Sequence, residues 1–133
     1  MKKYEIIQHE AEVKIKATAS TRVGLLSASL QGLLDASKPK YVENAEQVER
    51  EFSVSSDEFE LLLIDFLSEA VNLSNANSEA YEDVSFDLIT DKQANGKFLG
   101  RPVSGFENQI KSTSHKDLSV KKNAQDLWEA VVT

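Results

Sequence analysis

His9, Glu10 and Glu12 fall together inside a strand-like run, "IIQHEAEVKIKA" at residues 6–17. An imidazole and carboxylates at that spacing admit two readings. One is a solvated irregular turn. The other is a cation corner, in which Glu12 faces a metal and His9 orients it or bonds the backbone. The metal class is narrow. The chain has no cysteine and only two histidines, His9 and His115, so thiolate and histidine-rich zinc centres are out of reach. Carboxylate and carbonyl oxygens suit Mg2+ or Ca2+ instead. A lone carboxylate holds a divalent ion poorly, so other acids must converge on it. Asp91, Asp117, Asp126 and Glu129 are available, and linear sequence does not rank them.

The remaining chemistry is thinner. Five scattered glycines match neither a dinucleotide fingerprint nor a phosphate-binding loop, and no Gly-x-Ser-x-Gly elbow occurs. A two-carboxylate hydrolase lacks its paired acid motif. Asp57/Glu58 and Glu82/Asp83 read as helix-dipole and solvent-facing acids. Arg101, Lys111, Lys116, Lys121 and Lys122 make 101–122 the cation-rich part of the C-terminal region. That stretch is either an exposed strand face or an anion or partner patch. Trp128 reads as core or sheet-edge packing.

The elements that must position these residues follow from periodicity. Residues 4–7 and 13–17 read as strand, but Tyr4 and Ile6 have the opposite parity to Val13, Ile15 and Ala17. A period-two strand cannot bury both sets. The chain must therefore bulge, bend or break within 8–12. Val23, Leu26, Leu30, Leu33 and Leu34 recur at helical spacing over 20–35, with Ser20 or Thr21 as cap; Gly24 and Gly32 offer close packing against a sheet. Pro39 opposes a helix through the polar stretch "SKPKYVENAEQ". In 48–54, Val48, Arg50, Phe52 and Val54 alternate with Glu49, Glu51 and Ser53, as in a half-buried strand. "SSDEFELLLIDFLSEAVNL" predicts a central helix, with Ser55 and Glu58 as a capping box. After a polar loop, "SNANSEA", residues 81–90 alternate again. Asn95-Gly96 predicts a type I′ hairpin, with a return strand weakened by Gly100 and Pro102. "ENQIKSTS", "LSVKK" and "LWEAVVT" are short strand-like pieces. The expected fold is α+β: two helices packed on one face of a mostly antiparallel sheet, in the order strand-helix-strand-helix and then several strands.

At 133 residues the chain suits a single domain, 1–133, with one core. Its composition, 41% hydrophobic and 28% charged, is globular. No apolar run reaches the length of a membrane span and no signal-type run follows the basic N-terminus, so the expected location is cytoplasmic. The net charge of −7 opposes direct, non-specific nucleic-acid binding.

Four stretches resemble the archease family. Its members open with a strand followed by His-[Ser/Thr]-Ala-Asp-[Val/Ile], and this chain reads "HEAEV" at 9–13. The family's second helix carries a run similar to "LLLIDFLSEAVNL", 61–73. A late family segment, Lys-Ala-x-Thr-Tyr-His-x-Leu-x-Val, is similar to "KSTSHKDLSV", 111–120. There Lys111 matches, while Ser114, His115 and Lys116 stand for the Thr, Tyr and His. "LWEAVVT" resembles the family's Trp-containing last strand.

The resemblance implies a protein cofactor, not a catalyst. Archeases activate the tRNA-splicing RNA ligase by promoting its GTP-dependent guanylylation and multiple turnover. GTP therefore acts through the partner ligase. The resemblance also implies a divalent metal, Ca2+ or Mg2+, held by the opening motif's acid and a C-terminal Asp. Here that opening acid is Glu12, one methylene longer, a change Ca2+ tolerates better than Mg2+. The sequence ends at Thr133, about where the terminal Asp would stand, so the Thr133 α-carboxylate is the candidate second ligand. His9 and Lys111 are candidate partner or nucleotide contacts, Lys111 pairing with a phosphate or a ligase carboxylate. The expected state is a monomer or weak oligomer. The alternative is a small α+β ligand- or peptide-binding module without a ligase partner.

Overall fold

The computed structural model describes residues 2–9, 12–90, 92–107, 119–122 and 128–132, with side chains at 4, 6, 16–90 and 92–107. The first two strands, β1 (Lys2–His9) and β2 (Glu12–Ala19), form an antiparallel hairpin. Tyr4 pairs with Ala17 and Ile6 with Ile15. Even-numbered residues of β1 thus share a face with odd-numbered residues of β2, because antiparallel partners point the same way. The parity change between Ile6 and Val13 is the signature of this reversal, which lies between the paired His9 and Glu12.

Helix α1 (Arg22–Ser37) starts at Thr21, whose side chain accepts the Gly24 backbone N–H at 3.0 Å. It ends at Lys38 in the left-handed region. The proline-containing stretch beyond it forms a short strand, β3 (Pro39–Tyr41), instead of a plain connection. Strand β4 (Val48–Ser55) is followed by α2 (Phe59–Asn77). The expected capping box is absent. Ser55 still belongs to β4, and the N-cap Glu58 makes no side-chain cap bond. The helix continues through Ser74 to Asn77, consuming half of the expected polar loop, and Ser78 closes it by donating its N–H to the Ser74 carbonyl.

Strand β5 (Glu79–Ile89) then pairs with β6 (Gln93–Phe106). The expected Asn95-Gly96 hairpin is corrected here. The reversal lies at Thr90–Gln93, where the Thr90 N–H reaches the Gln93 carbonyl at 2.7 Å and the Thr90 hydroxyl accepts the Gln93 N–H at 3.0 Å. Asn95 and Gly96 sit inside β6, which also pairs with β4 and β3. The glycine is there for proximity: a β-carbon on Gly96 would stand 2.9 Å from Phe86 Cα, and closer still to the Ser85 carbonyl oxygen. Gly100 meets Ala80 and Tyr81 in the same way. In register, Gly96 pairs with Phe86 and Gly100 with Tyr81. Immediately after each aromatic, one β5 residue bulges out of register, Asp87 and Glu82 respectively. The two glycines let β6 run unbroken under a strand that twists hard across it.

The last described strands are β7 (Ser119–Lys122) and β8 (Trp128–Val132). Beyond Glu107, the strand-like piece expected over 107–114 lies outside the described residues. Two helices and all-antiparallel pairing make the fold α+β. The strands divide into two four-stranded sheets, one ordered β1-β2-β8-β7 and one in which β6 pairs with β3, β4 and β5. Helix α1 packs on β1, β2, β5 and β8, and α2 on β4, β5 and β6; the helices also touch each other. The buried centre joins Leu25, Leu26, Leu62, Leu63 and Leu67 to Phe52, Phe66 and Phe98. Phe52 stacks on Phe98 at 4.4 Å and meets Phe66 edge-on at 5.4 Å.

Candidate functional site

The hairpin turn places His9 and Glu12 as register partners, the closing pair on either side of residues 10–11. Strand β2 lies between β1 and β8, and β8 runs antiparallel to it, with Trp128 beside Ala19 and Val132 beside Ile15. The end of β8 therefore travels toward the Glu12 end of the hairpin. Val132 is opposite a residue only three positions from Glu12, about 10 Å along the strand. Thr133 and Lys111 lie outside the described residues, as do the side chains of His9 and Glu12. Among the described residues, no group of three or more His, Asp or Glu side chains converges to hold a metal ion. No described helix is long and apolar enough to cross a membrane.

Two polar clusters lie on the second sheet. In the first, Arg50 forks onto Glu79, its Nε donating to Oε1 at 2.8 Å and its Nη2 to Oε2 at 2.7 Å. The Tyr81 hydroxyl donates to the same Glu79 Oε1 at 2.9 Å. Glu79 is nearly enclosed, its side chain 4% exposed. The Arg50 hydrogen bonds, aided by the Tyr81 hydroxyl, hold its carboxyl below the usual range against the opposing pull of burial. Burial, then the bond to Glu79, pushes the Tyr81 hydroxyl well above its ordinary value. The cluster stretches from β4 over the central strand β6 to β5. It fastens both neighbours of β6 on the helix-covered face.

Sequence reasoning placed Glu79 in a polar loop and missed this pair. The signal was Arg50 itself. Arg50, a guanidinium on the face that also carries Phe52 and Val54, stands where it can pair with an acid at the edge of the buried region.

The second cluster is on the opposite, open face of the sheet. The bulged Glu82 forms an ion pair with Arg101, Oε1 to Nε 3.0 Å, and the Arg101 guanidinium lies 5.8 Å from the centre of the Tyr41 ring. Burial and the neighbouring Glu82 raise the Tyr41 hydroxyl's pKa.

A cleft between α1, α2 and the β5–β6 ribbon is lined by Leu30, Leu33, Val71, Ser74, Tyr81 and Phe106, with a volume of about 40 Å³. That is room for one or two water molecules. It falls well short of the several hundred Å³ of a small-molecule pocket.

The architecture, two helices against antiparallel sheets, is that of known solved structures. The solution structure of a Methanobacterium thermoautotrophicum protein superposes with a TM-score of 0.69 at 18% identity, covering 97% of this chain and 95% of that one. A Thermotoga maritima crystal structure, described as an archease and "possible chaperone", gives 0.65 at 17% identity, covering 97% and 94%. At these identities the likeness carries the fold. The family comes from sequence. The archease protein family profile matches residues 4–133. Protein archease of Methanosarcina barkeri is 27% identical over 98% of this chain and 94% of its own length. Protein archease of Thermococcus kodakarensis is 25% identical over 98% and 96%. The chain belongs to the archease protein family.

Proposed function

We propose that this protein activates a tRNA-splicing RNA ligase, promoting the ligase's GTP-dependent guanylylation and multiple turnover, and catalyses no reaction itself. The observation that carries the reading is the family match over 4–133 together with the acid of the opening motif, Glu12, at the closing position of the β1–β2 hairpin. A hairpin corner is a fixed point on a scaffold, suited to presenting one carboxylate to a partner's nucleotide pocket.

A divalent metal fits the hard-oxygen chemistry available at that end of the sheet, where Glu12 and the end of β8 lie on neighbouring strands. Glu12 would hold it, together with further oxygen ligands. Bound there, it would supply positive charge beside the phosphates of a GTP seated in the ligase. His9, register partner of Glu12, would orient that carboxylate or bond the backbone at the corner. Lys111 would pair with a phosphate or a ligase carboxylate.

The test is a guanylylation assay on the purified partner ligase with catalytic amounts of this protein. Glu12→Ala is expected to abolish most of the stimulation; unchanged stimulation would remove Glu12 from the site. The cleft between α1, α2 and the β5–β6 ribbon does not itself supply room for a ligand of metabolite size.

A further inference from the structure

Strand β4 lies at the end of the second sheet. It pairs with β6 on one side. On the other, no strand, loop or side chain among the described residues hydrogen-bonds the backbone of 48–55. In an antiparallel ladder every second residue turns its N–H and C=O away from the partner strand. Those groups face outward along β4 as a row of donors and acceptors spaced for one more strand.

The other edges are blunted or already used. Strand β5 carries extra residues at Glu82 and Asp87, and bulges twist an edge away from a newcomer. Strands β3 and β7 run for only three and four residues. Strand β1 belongs to the hairpin of the site already described. Strand β4 is eight residues long and pairs with β6 without a register shift.

The side chains of β4 specify the newcomer. Its helix-covered face carries Val48, Phe52 and Val54, and its open face carries Glu49 and Glu51. Lys97 is the register partner of Glu51, yet its ammonium sits 3.6 Å from Glu49. That pair is exposed, 43% at Lys97 and 61% at Glu49, so it contributes little by itself. Glu51 is exposed and makes no ion pair among the described residues. The two acids stand about 7 Å apart along the strand, the spacing of alternate residues on an incoming one. A second copy of this chain is a poor occupant. Twofold pairing of two β4 strands about Arg50 or Glu51 sets like charges opposite each other, and each copy carries −7. The same acids attract a basic strand.

We propose that β4 is the docking edge for this protein's protein partner, which adds an extended segment along 48–55 with Lys or Arg at alternate positions opposite Glu49 and Glu51 and apolar residues between them. The proposal rests on the ligase reading for the identity of that partner. Main-chain hydrogen bonds supply the affinity of such strand addition, and the alternate side chains supply its specificity.

The test reads the backbone as well as the affinity. Amide hydrogen exchange along 48–55 is followed by NMR in isotope-labelled protein, free and bound to the RNA ligase from the same organism. Every second amide of β4 is expected to slow at least tenfold in the complex, the pattern of a newly paired strand. Binding is measured by calorimetry with wild type, Glu51→Lys, Glu51→Gln and Asp83→Lys, and circular dichroism checks that each is folded. Glu51→Lys is expected to weaken binding at least tenfold, and Glu51→Gln by less. Asp83→Lys makes the same change of charge on the same open face, but on β5, two strands from the edge. It is expected to bind within twofold of wild type.

A complex in which exchange along 48–55 is unchanged, or a folded Glu51→Lys protein that binds within twofold of wild type, overturns the docking edge and leaves the ligase reading intact. Equal losses from Glu51→Lys and Asp83→Lys make the contact a charge effect of the whole face and overturn the edge as well. Protection along β4 that grows with the protein's own concentration, without ligase, assigns the edge to a second copy, and the proposal is wrong. A wild-type protein that does not bind the ligase overturns both readings.

Discussion

Gly100→Ala tests the close packing of β5 on β6 with a sign as well as a size. In an ordinary extended position, Gly→Ala stabilises by about 0.4–1 kcal/mol, because alanine has fewer unfolded conformations to lose. At Gly100 the added β-carbon would stand 2.8 Å from both the Ala80 carbonyl carbon and Tyr81 Cδ1, and closer still to the Ala80 oxygen, where ordinary contact begins at 3.4 Å. The nearest obstacle is backbone, which cannot rotate away. Strand β5 must move by at least about 0.6 Å, the shortfall at the second-nearest atoms. That shift strains the ladder around Ala80 and Tyr81, together with the Tyr81–Phe98 stack at 5.3 Å. Overpacking of about 1–3 kcal/mol and a weakened hydrogen bond of about 1 kcal/mol set the expected loss at about 3 kcal/mol. Gly105 is the internal control: a β-carbon there meets nothing within 4 Å, so Gly105→Ala should be neutral or slightly stabilising. Urea unfolding followed by far-ultraviolet circular dichroism measures both, with the m-value checked for constancy. In thermal scans the Gly100→Ala loss corresponds to roughly 10 °C for a chain of this size. A Gly100→Ala protein as stable as wild type, or more so, would refute the argument that glycine is required here for strand approach.

Four further outcomes are expected. Phe66→Ala, which empties the position between Phe52, Phe86 and Phe98, should cost about 3–5 kcal/mol in urea unfolding. Thr21→Ala removes the side-chain cap bond to the Gly24 N–H and should cost about 1 kcal/mol, while Glu58→Ala, at a cap without such a bond, should cost far less. Glu79 has a folded pKa below its unfolded one. Its contribution is therefore complete above the ordinary glutamate range near ~4.3 and disappears as pH falls through the lower folded value; Glu79→Gln should be less stable at neutral pH and show a flatter loss between about pH 5 and pH 2. Chelator-treated wild type should gain thermal stability when Ca2+ or Mg2+ is restored, and Glu12→Ala should not; an equal gain in both places the ion elsewhere.

Features visible in the sequence were those where one local rule met no rival. The parity of Tyr4 and Ile6 against Ile15 and Ala17 required a bulge, bend or break within residues 8–12, and the β1–β2 hairpin supplies it as a chain reversal. The apolar breadth of 61–73 required a buried helix, and Leu62, Leu63, Phe66 and Leu67 are fully enclosed. Misreadings arose where a local signal competed with a tertiary need. Asn95-Gly96 has the chemistry of a tight turn, but a glycine also permits a neighbouring backbone to approach. The second use prevails because the β5 backbone approaches β6 closely at Gly96 and again at Gly100. Thr90 then makes the real turn with its own hydroxyl. Glu79 follows the same logic from the opposite side. Its neighbours Ser74, Asn75, Asn77 and Ser78 make a polar string, so composition assigns it to solvent. The enclosed carboxylate of Glu79 is met, as the chain leaves α2, by the guanidinium of the partly exposed Arg50. The open-face cluster was least visible of all. Tyr41, Glu82 and Arg101 come from three separate strands, and two bulges bring them together. Bulges shift register by one residue, which is the quantity that alternation alone does not record. A surface built on such shifts becomes apparent only once the strands are paired.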